Sequence, residues 1–274
     1  RGSMIYPSGT TGNPKGVRRE PTSPERQARI GELAMRSFGI GPGGVCAMTG
    51  PMYHSAPGAY ASLAMVLGND IHLLPRFEPE ELLQAIDEHK ISHMHVVPTM
   101  FVRMLRLPDA IKAKYDLSSL AHVIHGAAPC PPDAKKQMIE WWGDVIFEYY
   151  GSTEAGIVST ASSADAIAKP GTVGRPLDGT LVRIYDDDGK VLGTGESGEI
   201  YMTMNDLSDF TYHNKDDKRA EIEREGMVTN GDVGYMDEDG YLFLNDRKRD
   251  MIISGGVNIY PAEIEAALQA MPGV

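Results

Sequence analysis

The chain has 274 residues, 42% of them hydrophobic and 23% charged, with a formal net charge of −12 at pH 7. That length and composition fit one or two folded domains with a sizeable core, and no apolar run is long enough to cross a bilayer. The acidic balance, with no long basic block, argues against nucleic acid as a partner.

The first informative stretch is Tyr6 to Gly16, Y-P-S-G-T-T-G-N-P-K-G, which follows the short apolar run Met4-Ile5-Tyr6 and precedes Val17. It reads as a loop joining two short strands. It carries Gly9, Gly12 and Gly16, the hydroxyls of Ser8, Thr10 and Thr11, and the cation Lys15. Glycines let a backbone approach a ligand closely and leave successive N–H groups facing an anion. That is equipment for phosphate oxygens. The spacing fits neither a Walker loop, since Lys15 stands between Pro14 and Gly16, nor a dinucleotide fingerprint, since no helical pattern follows at once. A polar hairpin turn, for which Asn13-Pro14 and the glycines suffice, is the alternative.

Pro24 to Phe38 places apolar residues at helical spacing, and Val45 to Met48 reads as a buried strand. A helix over His54 to Leu67 and a strand over Ile71 to Leu74 come next. Glu78 to His89 opens with Pro79 and acidic residues, a helix start. Ile91 to Val97 is a strand that Pro98 stops, and Thr99 to Leu105 is helical. A strand at His122 to His125, a helix at Asp133 to Trp142 and a strand at Val145 to Tyr149 complete this half. Such alternation predicts an α/β fold, a parallel sheet with helices on both faces. His93, His95, His122 and His125 lie inside strand patterns and read as core or lining residues rather than metal ligands. Cys46 and Cys130 lack metal-type spacing; with 15 Met they point to a reduced, cytoplasmic setting.

After about Ala161 the texture becomes mainly β. Short strands are expected at Leu181 to Tyr185, Glu199 to Thr203, Met227 to Thr229, Val233 to Met236 and Tyr241 to Leu244. Asp186 to Gly189 and Asp237 to Gly240 read as hairpin turns, because neither has the full ligand series of a calcium loop. The expected division is an α/β unit over 1–160, a smaller β-rich unit over 161–246, and a hinge with the start of a further element over 247–274.

In open parallel sheets, ligands bind outside the carboxyl ends of the strands. Met52-Tyr53-His54, Gly126-Ala127-Ala128 and Tyr150-Gly151-Ser152-Thr153-Glu154 all fall at such ends. Together with the first loop they form a convergent set. The loop at 6–16 and the Y-G-S-T-E string closely resemble two motifs of the AMP-forming adenylate-forming superfamily, which includes acyl-CoA synthetases, luciferases and peptide-synthetase adenylation domains. Three more segments match in the family's order: Gly126-Ala127-Ala128-Pro129, Thr229-Asn230-Gly231-Asp232-Val233-Gly234, and Asp246 to Gly256 followed by Asn258-Ile259-Tyr260-Pro261. The intruding Asn230 departs from the family's T-G-D pattern but leaves the Gly-Asp pair in place.

The resemblance implies roles. Ser8, Gly9, Thr10, Thr11, Gly12 and Lys15 would hold phosphates, with Thr10 also near the metal. Gly126, Ala127 and Ala128 would border adenine and Tyr150 would stack on it, beside Gly151 and Ser152. Thr153 would contact phosphate and Glu154 would coordinate Mg²⁺; Lys15, Thr153 and Glu154 form the catalytic set. Asp232 would accept from ribose hydroxyls, Arg247 would contact ribose or phosphate, and Arg249 would sit at the hinge. The acid pocket would include His54, Ser55, Gly58, Gly126 and Gly151.

The implied reaction is ATP-dependent adenylation of a small-molecule carboxylic acid followed by acyl transfer to CoA. Amino-acid-activating relatives hold the substrate ammonium with a carboxylate near the position of His54, and Tyr53-His54-Ser55-Ala56-Pro57-Gly58 has none. An α-amino group there would be buried unpaired, at a cost of several kcal/mol. The expected enzyme is therefore an acyl-CoA ligase. The small Ser55, Ala56, Gly58 and Ala59 suggest an open tunnel and a fatty acid. An aryl-acid ligase and an amino-acid adenylation domain are the alternatives. From another class comes a nucleotide-binding fragment without turnover, because the family's adenylation lysine lies on a lid beyond Val274. The chain thus reads as an internal segment, with the lid mostly absent, nearly inert alone and prone to self-association or dimerisation through bared apolar surface.

Overall fold

The computed structural model describes residues 4–5, 16–248, 252–254, 257–259, 261, 264–265, 268 and 271. In chain order the elements begin with β1 (Met4–Ile5), β2 (Val17–Arg19), α1 (Pro24–Phe38), β3 (Val45–Met48), α2 (Ser55–Val66), β4 (Asp70–Leu73) and α3 (Pro79–His89). Next come β5 (His93–Val96), α4 (Pro98–Leu105), α5 (Asp109–Lys112), β6 (His122–His125), α6 (Pro132–Trp142), β7 (Ile146–Ser152), β8 (Gly156–Ala161) and α7 (Ser163–Ala168). The remainder is β9 (Arg175–Pro176), β10 (Thr180–Tyr185), β11 (Gly198–Met204), β12 (Phe210–Tyr212), α8 (Asp216–Glu221), β13 (Glu223–Arg224), β14 (Met227–Met236), β15 (Leu242–Arg247), β16 (Ile252–Ser254) and β17 (Val257–Ile259).

Local chemistry sets the long helices. The Ser23 hydroxyl caps α1 by accepting from the Arg26 N–H, Pro24 opens its first turn, and Gly39 closes it at φ 60°. Glycine is needed there twice over, for the left-handed backbone and because a Cβ would meet the His122 ring at 2.1 Å. Pro79 and two glutamates start α3 in the same way.

A seven-stranded sheet in the order β4-β3-β5-β6-β7-β8-β9 forms the body of the first half. Its first five strands are parallel. Side chains alternate across it with the strand period. Ala47, Met94, Val96, Val123 and Ile146 point to a core shared with Leu82, Ile86, Phe101, Met104 and Met138 on α3, α4 and α6. Cys46, Met48, Ile124 and Tyr149 face Phe38, Tyr60, Ala61 and Ala64 on α1 and α2. The expected parallel sheet with helices on both faces is present.

The structure corrects two strand expectations. The strand read as ending at Tyr149 continues to Ser152 and folds back as β8, antiparallel to it, followed by antiparallel β9. The two strands expected at 227–229 and 233–236 are one, β14, which runs through Asn230-Gly231. A second sheet, β10-β11-β14-β13 with β15 on β14, packs on β8 through Val158, Val182, Ile200, Met202, Val228 and Leu242. Here the Asp186 and Asp237 segments are indeed turns, closed by Asp186 N–H to Lys190 O and Asp237 N–H to Tyr241 O. A third small sheet joins β1, β2 and β12.

Two polar groupings lie inside the first core. Lys135 on α6 pairs with Glu148 on β7 and also donates to the Thr172 carbonyl at 3.3 Å. His125 is fully buried with its Nδ1 3.8 Å from Glu148. On the opposite face, His95 Nε2 and the Tyr149 hydroxyl are 3.0 Å apart. Burial holds His95 down to about 4, and burial with neighbouring His93 does the same to His122. His125 is also held well below the ordinary histidine value, through burial and then the Lys135 charge.

Below the ordinary histidine pKa the unfolded chain therefore binds more protons than the fold, so these residues take stability away as pH falls from about 6.5 toward 4. His122 stacks on Phe147 at 3.8 Å, a contact that His122→Phe keeps. That variant should flatten the slope of unfolding free energy against pH, followed by urea titration, by up to about 1.4 kcal/mol per pH unit. An unchanged slope would show that His122 titrates freely in the fold.

Candidate active site

Parallel β3, β6 and β7 place their carboxyl ends on one side of the sheet, and the site residues of the first half follow those ends. After β3, His54 is the exposed cap residue of α2 and makes no side-chain cap bond, while its ring lies 4.7 Å from that of Tyr53. Ser55 opens α2. After β6, Gly126 is buried, and a Cβ there would stand 2.6 Å from the Tyr149 ring. Ala127 holds φ 65°, a left-handed backbone that a non-glycine residue adopts at a cost, and Ala127 and Ala128 are exposed.

The end of β7 carries the densest chemistry. Gly151 sits at a register shift of the β7–β8 hairpin, and a Cβ there would be 2.0 Å from the Gly156 carbonyl oxygen. Ser152 accepts from the Ala155 N–H at 2.9 Å and tightens the turn. Thr153 donates to the Ser55 hydroxyl at 3.1 Å, which joins the turn to α2. Glu154 is half-buried, and its Oε1 accepts from the Tyr212 hydroxyl at 2.8 Å.

A second constellation lies on the other side of this turn. Tyr150 is 8% exposed, buried among Val17, Ala155 and Val158, and its hydroxyl donates to Asp232 Oδ2 at 2.8 Å. Arg247 is opposite Asp232 in the β14–β15 register, and its Nε donates to Asp232 Oδ1 at 3.2 Å. Burial first, and then the Asp232 charge, push the Tyr150 hydroxyl well above its ordinary pKa. Gly231, at φ 78°, lets β14 pass this point; its N–H reaches the Thr229 hydroxyl and its carbonyl accepts from the Lys248 N–H. The insertion of Asn230 is thereby absorbed, and Asp232 stays on the site.

The structure thus brings together Ser55, Thr153 and Glu154, and separately Tyr150, Asp232 and Arg247. The β7 end links the two groups. Gly58 is set apart. A Cβ there would be 2.6 Å from the Met52 carbonyl oxygen, so close packing of α2 explains its small size. Ser8, Gly9, Thr10, Thr11, Gly12, Lys15 and Arg249 lie outside the described residues. Two residues with roles in this geometry escape sequence reasoning. Tyr212 grips Glu154, and Arg19 donates to the carbonyls of Thr153, Glu154 and Ser208. Arg19 gains its place only through the pairing of β2 with β12. Among the described residues no cluster of His, Cys, Asp and Glu is arranged as a metal cage, and no helix is long and apolar enough to cross a membrane.

A model of the AMP-binding enzyme family matches residues 3–208. The chain belongs to the AMP-binding enzymes. It is 35% identical over 267 residues to a long-chain-fatty-acid–CoA ligase of Bacillus subtilis (strain 168), covering 97% of this chain and 47% of that relative. It matches the amide bond synthetase McbA from Marinactinospora thermotolerans with a TM-score of 0.85 at 30% identity, over 98% of this chain and 53% of that one. The o-succinylbenzoate coenzyme A synthetase of Bacillus subtilis, in complex with ATP and magnesium, gives 0.83 at 29% identity, over 99% and 55%. The chain spans about half the length of the curated relatives it matches. The family read from five motifs therefore holds, as does the α/β core it implies for an AMP-binding enzyme.

In this AMP-binding enzyme the Tyr150–Asp232 bond is buried and one partner is charged. Tyr150→Phe should cost about 1.5–3 kcal/mol of unfolding free energy, read from the urea midpoint at constant m-value. A variant as stable as the wild type would show that the hydroxyl merely rests beside Asp232.

Proposed function

We propose that this chain carries the ATP site and most of the acid site of an AMP-forming acid–thiol ligase. The observation that supports this reading most is the meeting of Ser55, Thr153 and Glu154 at the carboxyl ends of parallel strands, one turn away from Tyr150, Asp232 and Arg247. In the reaction, a carboxylate oxygen of the acid attacks the α-phosphorus of ATP and the bond to pyrophosphate breaks. A thiol, CoA in this reading, then attacks the acyl carbon and releases AMP.

The chain's own groups mostly position and neutralise. Lys15 and the loop Ser8 to Gly12 would receive phosphate oxygens, with Thr10 beside the metal. Thr153, held beside Ser55, would turn its one hydroxyl proton from the Ser55 oxygen to phosphate. Asp232 accepts from the ribose hydroxyls, and Arg247 turns from Asp232 toward ribose or phosphate. Gly126, Ala127 and Ala128 would border the purine and Tyr150 would stack on it, beside Gly151 and Ser152. A hard, half-buried carboxylate supported by a tyrosine hydroxyl fits Mg²⁺, which is commonly held by one or two carboxylates and substrate phosphates. The ion would supply charge neutralisation at the phosphates. Arg249 is the proposed hinge.

For the acid, a fatty acid is favoured, in line with the Bacillus ligase that this chain resembles. His54, Ser55, Gly58, Gly126 and Gly151 would surround it. An aryl acid is the second reading, and one feature favours it. Phe38, Tyr60, His95 and Tyr149 form a filled aromatic cluster directly behind Gly126, which limits depth on that side. Residues 53–58 carry no carboxylate to pair with an amino acid's ammonium, and Glu148 is buried against Lys135.

The deciding experiment is ATP–pyrophosphate exchange, run on this chain and on a longer enzyme that joins it to the family's lid, with Mg²⁺ and a panel of octanoate, palmitate, benzoate and several amino acids. Fatty or aryl acids should drive exchange by the longer enzyme, while this chain binds Mg·ATP with little exchange. Exchange driven only by an amino acid would overturn the ligase reading. Turnover by this chain matching that of the longer enzyme would overturn the proposed need for the lid.

A further inference from the structure

Arg19 is the last residue of β2. In the β2–β12 register it stands opposite Phe210. Its Nη1 donates to the Ser208 carbonyl at 2.6 Å, and its Nη2 donates to the carbonyls of Thr153 at 2.6 Å and Glu154 at 2.8 Å. One guanidinium thus ties three segments that are far apart in sequence. The neighbouring strand acts on the same residue, because Tyr212 of β12 holds Glu154 Oε1. The backbone of Glu154 and its carboxylate are therefore both fixed by the β2–β12 pair.

Only an arginine has a planar fork that serves three carbonyls at once; a lysine ammonium presents a point charge on a flexible stem. The charge is also placed with purpose. The guanidinium is largely desolvated, and the acidic neighbours it feels are Glu154 and Asp209. Without the fork, the carbonyls of Thr153 and Glu154 would need other donors inside the fold.

We propose that Arg19 is a positioning residue for Glu154, setting the carboxylate's place relative to the β2–β12 pair and thereby the metal dependence of ATP binding. This rests on the nucleotide and metal reading given above. Arg19 touches neither substrate nor metal in this role. It acts through the turn that Glu154 occupies.

A matched control exists in the same fold. Arg26 on α1 also donates to backbone carbonyls of the neighbouring segment, those of Asn205, Asp206 and Leu207, but reaches neither Thr153 nor Glu154. The experiment is calorimetric titration of ATP into the 274-residue chain, with Mg²⁺ and with EDTA, for the wild type, Arg19→Met, Arg19→Lys and Arg26→Met, with thermal melts of each. In Arg19→Met the gain in ATP affinity conferred by Mg²⁺ should fall by about 10- to 100-fold, the usual effect of removing a group that orients a metal ligand. Affinity in EDTA should change by less than about threefold, or under 1 kcal/mol. Arg19→Lys should recover part of the gain, and Arg26→Met should keep all of it even where its melting point drops.

A wild-type gain in Arg19→Met overturns the role of Arg19 alone. If that variant does not fold, Arg19→Lys decides: a gain equal to the wild type's overturns the role, and a reduced gain supports it. A wild-type chain that binds ATP in neither buffer overturns the nucleotide reading itself, and this assignment with it.

Discussion

The site depends on how tightly β7 turns back on itself. This strand pairs parallel with β6 on one side and antiparallel with β8 on the other, so the sheet changes sense at β7. The join works because Gly151 has no side chain; a Cβ would occupy the Gly156 carbonyl oxygen's place at 2.0 Å. Gly126 is compressed in the same way against the ring and carbonyl of Tyr149. With both glycines in place, Tyr149 faces the first core, Tyr150 faces the second, and Thr153-Glu154 emerge at the seam. Packing, more than ligand contact, accounts for the glycines of this motif.

Around the seam the fold carries costs that a simple core would avoid. Lys135 and Glu148 are an ion pair with both side chains about 5% exposed. Desolvation of two charges offsets most of what such a pair gains, so it is weak evidence of added stability. Burial raises the Glu148 carboxyl, and the Lys135 charge opposes that shift. Geometry is the clearer contribution. The ammonium connects α6, β7 and the Thr172 carbonyl, which holds the strand carrying Tyr149 and Tyr150 against its helix. Ala127 adds backbone strain at the end of β6, where a left-handed non-glycine residue persists only if its surroundings over-determine it.

What could be read from sequence follows the range of the forces involved. Helix α1 was legible to the residue, because Ser23, Pro24 and Gly39 are local signals that act within one turn. The parallel core was legible because alternation of strands and helices leaves few topologies. Strand β8 was not, since Gly151 and Ser152 break the apolar pattern and the partner that completes it lies beyond the turn. Asn230-Gly231 looks like a turn for an equally local reason, yet β14 runs through it because Thr229 and Lys248 satisfy its backbone groups. Motif residues such as Glu154 and Asp232 could be named from the string alone. Their partners Arg19 and Tyr212 could not, because a contact spanning 135 residues between Arg19 and Glu154 leaves no periodic trace.

The two carboxylates at the seam are built on one plan with different settings. Each is gripped by a tyrosine hydroxyl, Tyr150 for Asp232 and Tyr212 for Glu154, at 2.8 Å in both cases. Each also has an arginine, but the arginines act differently. Arg247 engages the Asp232 carboxylate itself from a side chain that is 46% exposed, so this partner can swing away and leave an oriented acceptor. Arg19 engages the backbone that carries Glu154 and leaves the carboxylate to Tyr212. In the ribose-binding role proposed for Asp232, an exchangeable cation would help, because the lone pairs must be released on demand. In the metal-binding role proposed for Glu154, a fixed backbone would help, because a hard cation tolerates little error in ligand position. The contrast between a movable and an immovable arginine is thus what separates the two acidic positions chemically.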